Sequence, residues 1–385
     1  MVSHSARIRA IVSGLAVMFI AYAIRYDFGA LLPSMMEELK LIELKLGGLI
    51  FTSYFIAYMI FSPIMGSLSD KFTARPIVIL SCALMGLGVI MLSTSRNLFE
   101  ACLWYGVTGL GAAGTWTPVS AAIQRWFERK RRGLALGVMI IGICSGFGVA
   151  TYVTPYLIEN YGWRACWMLL GLGSFIIAGL TLLLFKEKQR DNANETKARW
   201  IYFNKNAWLI GISYLLIGFA ILVPFTYLPT YSIREVGMPS DASIWLISLI
   251  ALGGIIGALS LPAISDRMKD RRRMIVVSNS LVAMASMIAV MKSSSLIVAS
   301  AFIFGLAYGA IWPLYGSCAS EYFGEENAGK VMGFWTFFLG LGSILSPAIS
   351  GAVADIYGTL TATLMLNTTV ALISMIPLIF IKVKA

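Results

Sequence analysis

The chain is poor in charge, in histidine and in polar segments. Asp, Glu, Lys and Arg make up 13% of its 385 residues, whereas 58% are hydrophobic and the mean hydropathy is +0.80. The single histidine, His4, excludes a histidine-based metal site and a Ser-His triad by residue count. A chain this long and this apolar belongs in a lipid bilayer rather than in water.

Cysteine is also scarce, and none of the five cysteines lies in a CxxC pair. All of them fall in apolar runs, so we expect small core residues without a disulfide framework or redox site. The Gly142-x-x-x-Gly146 and Gly305-x-x-x-Gly309 patterns favour helix contacts over nucleotide loops, and no cofactor is expected. The first apolar run is too long for a signal peptide and lacks a small-residue cleavage site.

Apolar runs of the length needed to cross a bilayer recur along the sequence, six in each half. They predict an all-α integral membrane fold with twelve transmembrane helices in two pseudo-symmetric six-helix bundles. The expected spans lie near 10–33, 46–68, 76–95, 98–122, 133–157, 163–185, 206–231, 242–264, 274–292, 296–319, 329–353 and 360–381.

The two halves repeat each other at a fixed spacing of 196 residues. Gly109 recurs as Gly305 and Asp70 as Asp266, and the alignment of the two halves needs no gap. This pattern indicates a tandem duplication. We therefore predict an N-terminal bundle over 1–185, a polar cytoplasmic linker over 186–205 and a C-terminal bundle over 206–385.

The net charge of +11 is distributed unevenly, with Lys and Arg concentrated in alternate loops. The positive-inside rule then places both termini in the cytoplasm. The basic clusters at 129–132 and 271–273 are interpreted as topology signals and lipid contacts, not as a nucleic-acid surface.

One loop motif carries a family resemblance. Gly66-Ser67-Leu68-Ser69-Asp70-Lys71 with Arg75 resembles the loop between the second and third helices of the major facilitator superfamily, and Asp266 with Arg271 lies in a degenerate second copy. The resemblance implies alternating access by a monomer in the plasma membrane. It also implies that Asp70, Arg75, Asp266 and Arg271 form conformational latches; plain topological turns are the alternative.

Two charges lie inside the first span. An arginine there costs about 2.5–3.5 kcal/mol, so Arg25 should face a cavity or a partner, either as a substrate ligand or in a structural ion pair. Asp27 points about 200° away from Arg25 on the same helix and cannot neutralise it directly. Asp27 is a candidate for proton coupling, with a structural role as the alternative. Tyr22 lies on the same helix face as Arg25 and is also a candidate substrate ligand.

The pattern Tyr22-x-x-Arg25-x-x-Phe28 resembles the first helix of organic-anion carriers of the superfamily. The run from Arg125 to Gly137 is similar to a signature of monocarboxylate and oxalate/formate carriers. Those carriers usually hold their anion with an arginine of the eighth helix, where this chain has Ala258. The resemblance therefore implies a small organic anion, chiefly a monocarboxylate, whose carboxylate is bound by Arg25.

Spans one, four, seven and ten line the central cavity in this family. Polar and aromatic residues there are further candidate substrate ligands, with core packing as the alternative for each: Trp116, Thr117, Tyr227, Tyr231, Tyr308 and Trp312.

We thus predict a secondary active transporter, not an enzyme, that carries a small organic anion with H⁺ and contacts membrane lipids but no nucleic acid. Anion exchange is an alternative. Multidrug efflux is another, although the Gly-Pro-Gly-Gly element of such pumps is missing and Tyr105 replaces their fourth-helix arginine. A membrane enzyme or receptor lacks a catalytic cluster or output domain here.

Overall fold

The computed structural model describes residues 4–41, 44–185, 187, 204–268, 270–324 and 327–381. Within these ranges every regular element is a helix. Since apolar helices satisfy their own backbone hydrogen bonds, this is the architecture that a bilayer permits.

The described part of the first half contains six α-helices and one short 3₁₀ turn at Arg129–Arg131. The helices are α1 (His4–Glu38), α2 (Leu44–Lys71), α3 (Ala74–Ser93), α4 (Leu98–Ala113), α5 (Trp116–Gln124) and α6 (Arg132–Leu184). The second half contains α7 (Lys205–Arg234), α8 (Ser240–Ser265), α9 (Arg272–Ala289), α10 (Ser294–Phe323), α11 (Ala328–Tyr357), α12 (Leu360–Ile373) and α13 (Ile376–Ile379).

Three departures from one helix per span occur. In one of them the last span, Leu360–Ile379, is divided into α12 and α13. Helix α6 has 53 residues, far more than one span needs, and Gly162 with φ 75° and ψ 165° divides it into two arms. Helices α4 and α5, of 16 and 9 residues, are each too short and together form one span. When α6 is counted as two spans and α4 with α5 as one, the ten long apolar helices found in the described ranges become the twelve expected spans.

The chain divides into two compact units. One comprises Met1–Trp126 with Ile141–Asn192, and the other comprises Phe127–Ile140 with Ala193–Ala385. The start of α6 therefore belongs to the second unit, although the rest of that helix belongs to the first. The predicted domain boundaries remain a prediction, and most of the linker expected at 186–205 lies outside the described residues.

Glycine permits close helix contacts at matching places in the two repeats. A Cβ on Gly109 would overlap the backbone carbonyl of Tyr54, so α4 and α2 pack backbone to backbone in the first unit. Its repeat equivalent, Gly305, meets the carbonyl of Ile250 in the same way between α10 and α8. The first of these contacts fixes the part of α2 that carries Tyr54.

Candidate substrate site

Arg25 of α1 is buried in a cage of aromatic side chains within the first unit. Its Nε donates a hydrogen bond of 3.0 Å to the hydroxyl of Tyr54, and the residue is 5% exposed. The guanidinium carbon lies near four ring centroids: Tyr58 at 4.5 Å, Tyr22 at 4.6 Å, Tyr54 at 5.4 Å and Phe55 at 5.6 Å. Such faces attract a cation, each by about 0.5–2 kcal/mol.

In the described residues the cage holds no counter-ion for Arg25. No Asp or Glu oxygen lies within 4.0 Å of its guanidinium anywhere in the ranges that the structure describes. Aromatic faces and one hydroxyl replace only part of the hydration that a buried cation loses. The guanidinium is therefore a buried cation whose lost hydration is only partly replaced, and its role as a substrate ligand remains a prediction.

The cage is assembled by helix periodicity. Tyr22 precedes Arg25 by three residues on α1, and Tyr54 precedes Tyr58 by four on α2, so each pair shares one helix face. Tyr22 was predicted from the sequence as part of the site, whereas Phe55 and Tyr58 were not. The Tyr54-x-x-x-Tyr58 spacing was the available signal for this second face.

Asp27 lies on a different side of α1, as its spacing from Arg25 predicts. Its Oδ2 accepts a hydrogen bond of 2.7 Å from Thr154 Oγ1 on the first arm of α6. Its Oδ1 is buried and, within the described part of the chain, has no hydrogen-bond partner. Asp27 lines an apolar cavity of about 170 Å³ between α1 and α6.

The candidates of the fourth span, Trp116 and Thr117, are the first two residues of α5 and are both buried. Their role as substrate ligands remains a prediction.

In the second unit, Tyr308 and Trp312 of α10 form part of an aromatic cluster. Their ring centroids are 6.0 Å apart, and Trp312 is also 6.0 Å from Tyr214 of α7. Tyr214 stacks on Tyr315 at 4.4 Å, while Phe225 lies 5.2 Å from Tyr308. The cluster therefore joins the seventh and tenth spans, and it brings the predicted candidates Tyr308 and Trp312 into ring contact.

The hydroxyls of Tyr227 and Tyr231 are engaged in helix packing. Tyr227 donates to the carbonyl of Pro347 on α11 at 2.8 Å, and Tyr231 donates to that of Ala289 at the end of α9 at 2.9 Å. Both contacts match the packing alternative considered for these residues, and their substrate role stays a prediction.

A buried polar network beneath the aromatic cluster was missed from the sequence. Ser213 and Tyr315 share a hydrogen bond of 2.7 Å, and Ser213 also donates to the carbonyl of Ser374 at 2.7 Å. The Asn279 amide donates to the Ser374 hydroxyl at 2.9 Å. Single Ser and Asn residues in apolar spans are too common for sequence alone to predict this junction of α7, α9, α10 and α12.

Asp266 and Arg271 form an ion pair within the second unit, and their role as a latch remains a prediction. Asp266 accepts the backbone N–H groups of Gly133 and Leu134, each at 2.9 Å, at the start of α6. Arg271 contacts Asp266 at 2.6 Å and Glu321 at 2.7 Å. A carboxylate at a helix N-terminus is favoured by the helix dipole and by the free N–H groups there.

The first copy of the motif has a different environment. The side chain of Asp70 lies outside the described residues. The backbone N–H of Arg75 donates to Glu187 Oε1 at 2.5 Å, and its guanidinium donates to the carbonyl of Leu182. Burial raises the pKa of Glu187, although hydrogen bonds and the Arg125 charge oppose this shift. The latch role of Asp70 and Arg75 remains a prediction.

Matching carboxylates end the first helix of each repeat. Glu38 accepts Trp163 Nε1 at 2.6 Å and Arg164 Nε at 2.8 Å in the first unit. In the second unit, Glu235 accepts the hydroxyls of Thr361 and Thr359 at 2.6 and 2.8 Å. These carboxylates tie the beginning of each half's last span to its first span.

Burial raises the pKa of Glu235, but its hydrogen-bond donors outweigh burial and lower the pKa to about 2. The donors are the two threonine hydroxyls, the Leu360 N–H and Lys292, whose Nζ lies 3.2 Å away. The carboxylate is therefore ionised throughout the neutral range.

Comparisons with known proteins agree with this architecture. The Major Facilitator Superfamily profile matches residues 14–289 and 234–385. Monocarboxylate transporter 12 of Xenopus laevis is 25% identical, over 80% of this chain and 74% of that protein. The Fujikurins efflux protein of Gibberella fujikuroi is 24% identical, over 76% of this chain and 63% of that protein.

The crystal structure of the human organic anion transporter MFSD10 (TETRAN) has the same fold. It superposes with a TM-score of 0.78 at 14% identity, covering 97% of this chain and 99% of that one. The predicted fold class is confirmed, as is the prediction of a transporter rather than an enzyme. This chain is an integral membrane transporter that belongs to the Major Facilitator Superfamily.

Proposed function

We propose that this transporter carries a small organic anion, chiefly a monocarboxylate, with Arg25 as the residue that binds the carboxylate. The observation that carries the proposal is the buried guanidinium of Arg25, which has aromatic faces and one tyrosine hydroxyl around it but no carboxylate partner in the described ranges. The names of Monocarboxylate transporter 12 and of the MFSD10 organic anion transporter support the same substrate class.

The geometry favours one carboxylate on Arg25. Its Nε already donates to Tyr54, so the terminal guanidinium nitrogens are the donors that face a ligand. The rings of Tyr22 and Tyr58 supply an apolar wall for the carbon skeleton of a small acid. The repeat-equivalent residue of Arg25 is Ile221, which adds no second charge for a dianion.

Proton symport is the coupling that we propose, with Asp27 as the group that binds the proton. Asp27 is 2% exposed, and its Oδ1 has no hydrogen-bond partner in the described part of the chain, so a proton on Oδ1 would remove a buried charge. Arg25 and Asp27 face different neighbours of α1, so the coupling would be carried by movement of this helix. We place the protein in the plasma membrane with both termini in the cytoplasm.

Uptake into proteoliposomes tests this coupling. With radiolabelled lactate or a similar acid outside, an inward proton gradient should accelerate uptake, and an uncoupler should abolish the acceleration. The Asp27→Asn variant should retain anion binding but lose the response to the gradient. Uptake that ignores the uncoupler and requires an anion inside the vesicle would replace symport with exchange.

Efflux of a lipophilic compound is the second candidate, supported by similarity to the Fujikurins efflux protein. In this case the role of Arg25 would be structural. Substitution of Arg25 by Gln would then lower stability without a selective loss of anion binding. A lipophilic dye exported by wild-type vesicles and unaffected by small carboxylates would favour this candidate.

A further inference from the structure

The cavity beside Asp27 is separate from the Arg25 cage. It lies between α1 and the two arms of α6, whereas the cage is built by α1 and α2. Its volume is about 170 Å³, and its lining is apolar apart from Asp27, Thr154 and Cys166. Val149, Val153 and Leu169 at its edge are 48%, 39% and 52% exposed. Exposed apolar side chains in the middle of membrane-spanning helices meet hydrocarbon, so the cavity opens toward lipid.

Asp27 is the one charged residue among those that line this cavity. It is 2% exposed, and among the described residues only its Oδ2 has a donor, Thr154. An ionised carboxylate in such surroundings is strongly unfavourable unless a cation or several donors accompany it. Within the described residues Oδ1 has no cation and no hydrogen-bond donor beside it, so the cavity contains a negatively charged hydrogen-bond acceptor without a partner.

We propose that this cavity is a binding site for a small alkylammonium ligand that enters from the lipid side. The ammonium group would donate to Asp27 Oδ1, and the alkyl chain would lie against Val149, Val153 and Leu169. Charge complementarity selects the cation, and the apolar lining selects its hydrocarbon part. The site does not depend on the assignment of Arg25, because it lies on another face of α1 and binds the opposite charge. It uses the same Asp27 Oδ1 that proton symport would protonate, so the amine and the proton would compete for this atom.

Cys166 provides a local reporter for occupancy, because its side chain lines the same cavity. The purified full-length protein in lipid nanodiscs would be alkylated with N-ethylmaleimide and mapped by peptide mass spectrometry. Octylamine is the probe, and octanol and octanoate are neutral and anionic controls of the same chain length. Cys102 lies outside the cavity lining, is partly exposed and serves as the internal reference.

We expect octylamine to slow labelling of Cys166 at concentrations at least about ten-fold lower than octanol, the factor expected for one charge-assisted hydrogen bond. Octanoate should give no protection. Asp27→Asn should remove the preference for the amine, whereas Thr154→Val should keep it because the carboxylate remains. Val153→Trp should block both octylamine and octanol by filling the cavity.

The melting temperature gives a second readout, in which octylamine should stabilise the wild type and Thr154→Val more than octanol does. Equal effects of the amine and the alcohol on the wild type in both readouts would overturn the proposal, since the carboxyl would then be neutral. A preference for the amine that persists in Asp27→Asn would also overturn it. The comparison on the wild type and Thr154→Val remains decisive if Asp27→Asn does not fold.

Discussion

Replacement of Arg25 by Lys retains the positive charge but removes the planar guanidinium. In the structure, Nε donates to the Tyr54 hydroxyl at 3.0 Å, and the guanidinium carbon lies 4.5 and 4.6 Å from the ring centroids of Tyr58 and Tyr22. A lysine ammonium can neither keep this hydrogen bond from the same position nor present two parallel donors to a carboxylate. The expected loss is one charge-assisted hydrogen bond, about 1.5–3 kcal/mol, which weakens anion binding about 10- to 100-fold.

The assay is uptake of a labelled monocarboxylate by proteoliposomes, together with the rise in melting temperature that the same acid produces. KM should increase by this factor, and the acid should stabilise the variant less. Arg164→Lys is the matched control, because Arg164 has a clear structural partner in Glu38 at 2.8 Å. It should lower stability and leave KM within about three-fold. An Arg25→Lys variant with wild-type KM and wild-type stabilisation by the acid would refute the assignment of Arg25.

Three further predictions follow from contacts in the two units. Gly109→Ala should displace Tyr54, whose backbone carbonyl would overlap the new Cβ, and should therefore weaken anion binding and lower the melting temperature. Gly106→Ala is the control, because the nearest atom to its new Cβ is 3.8 Å away, and it should behave as wild type. Asp266→Asn should lower the free energy of unfolding by about 3–5 kcal/mol, because Arg271 loses one of its two carboxylate partners, whereas Asp355→Asn at an exposed position should change it little. Equal melting temperatures for these two variants would contradict a stabilising role of the ion pair. Glu235 has a pKa lowered from 4.5 to about 2, so its contribution to stability should be complete above pH 4.5 and disappear as the pH falls toward 2. Glu235→Gln should lose less stability than the wild type over that interval, and parallel plots of melting temperature against pH for the two proteins would argue against this role.

Hydrophobic length and internal repetition predicted the fold well. These signals depend on the thickness of the bilayer and on residues that return at a fixed spacing, and neither requires knowledge of tertiary contacts. The helix break at Gly162 recurs at Gly358, with φ 65°, where α11 ends. The division of one span into α4 and α5 was not predicted, because their residues form one continuous apolar run.

The candidate site was less predictable. The cost of a charge in the bilayer singled out Arg25, and helical periodicity separated it from Asp27. The partners of both residues lie on other helices: Tyr54 and Tyr58 on α2, and Thr154 on α6. Such partners depend on which helices pack together and at what height. A single sequence does not provide that information.

The central claim is that Arg25 binds a carboxylate, and the sharpest test compares lactate with lactamide, its neutral amide of nearly the same shape. Both compounds would be titrated as competitors of a labelled monocarboxylate bound to the purified wild type and to Arg25→Gln. The account predicts that lactate competes with the labelled acid on the wild type, that lactamide does not, and that Arg25→Gln binds neither the label nor lactate. Equal competition by lactate and lactamide, or undiminished lactate binding by Arg25→Gln, would contradict it.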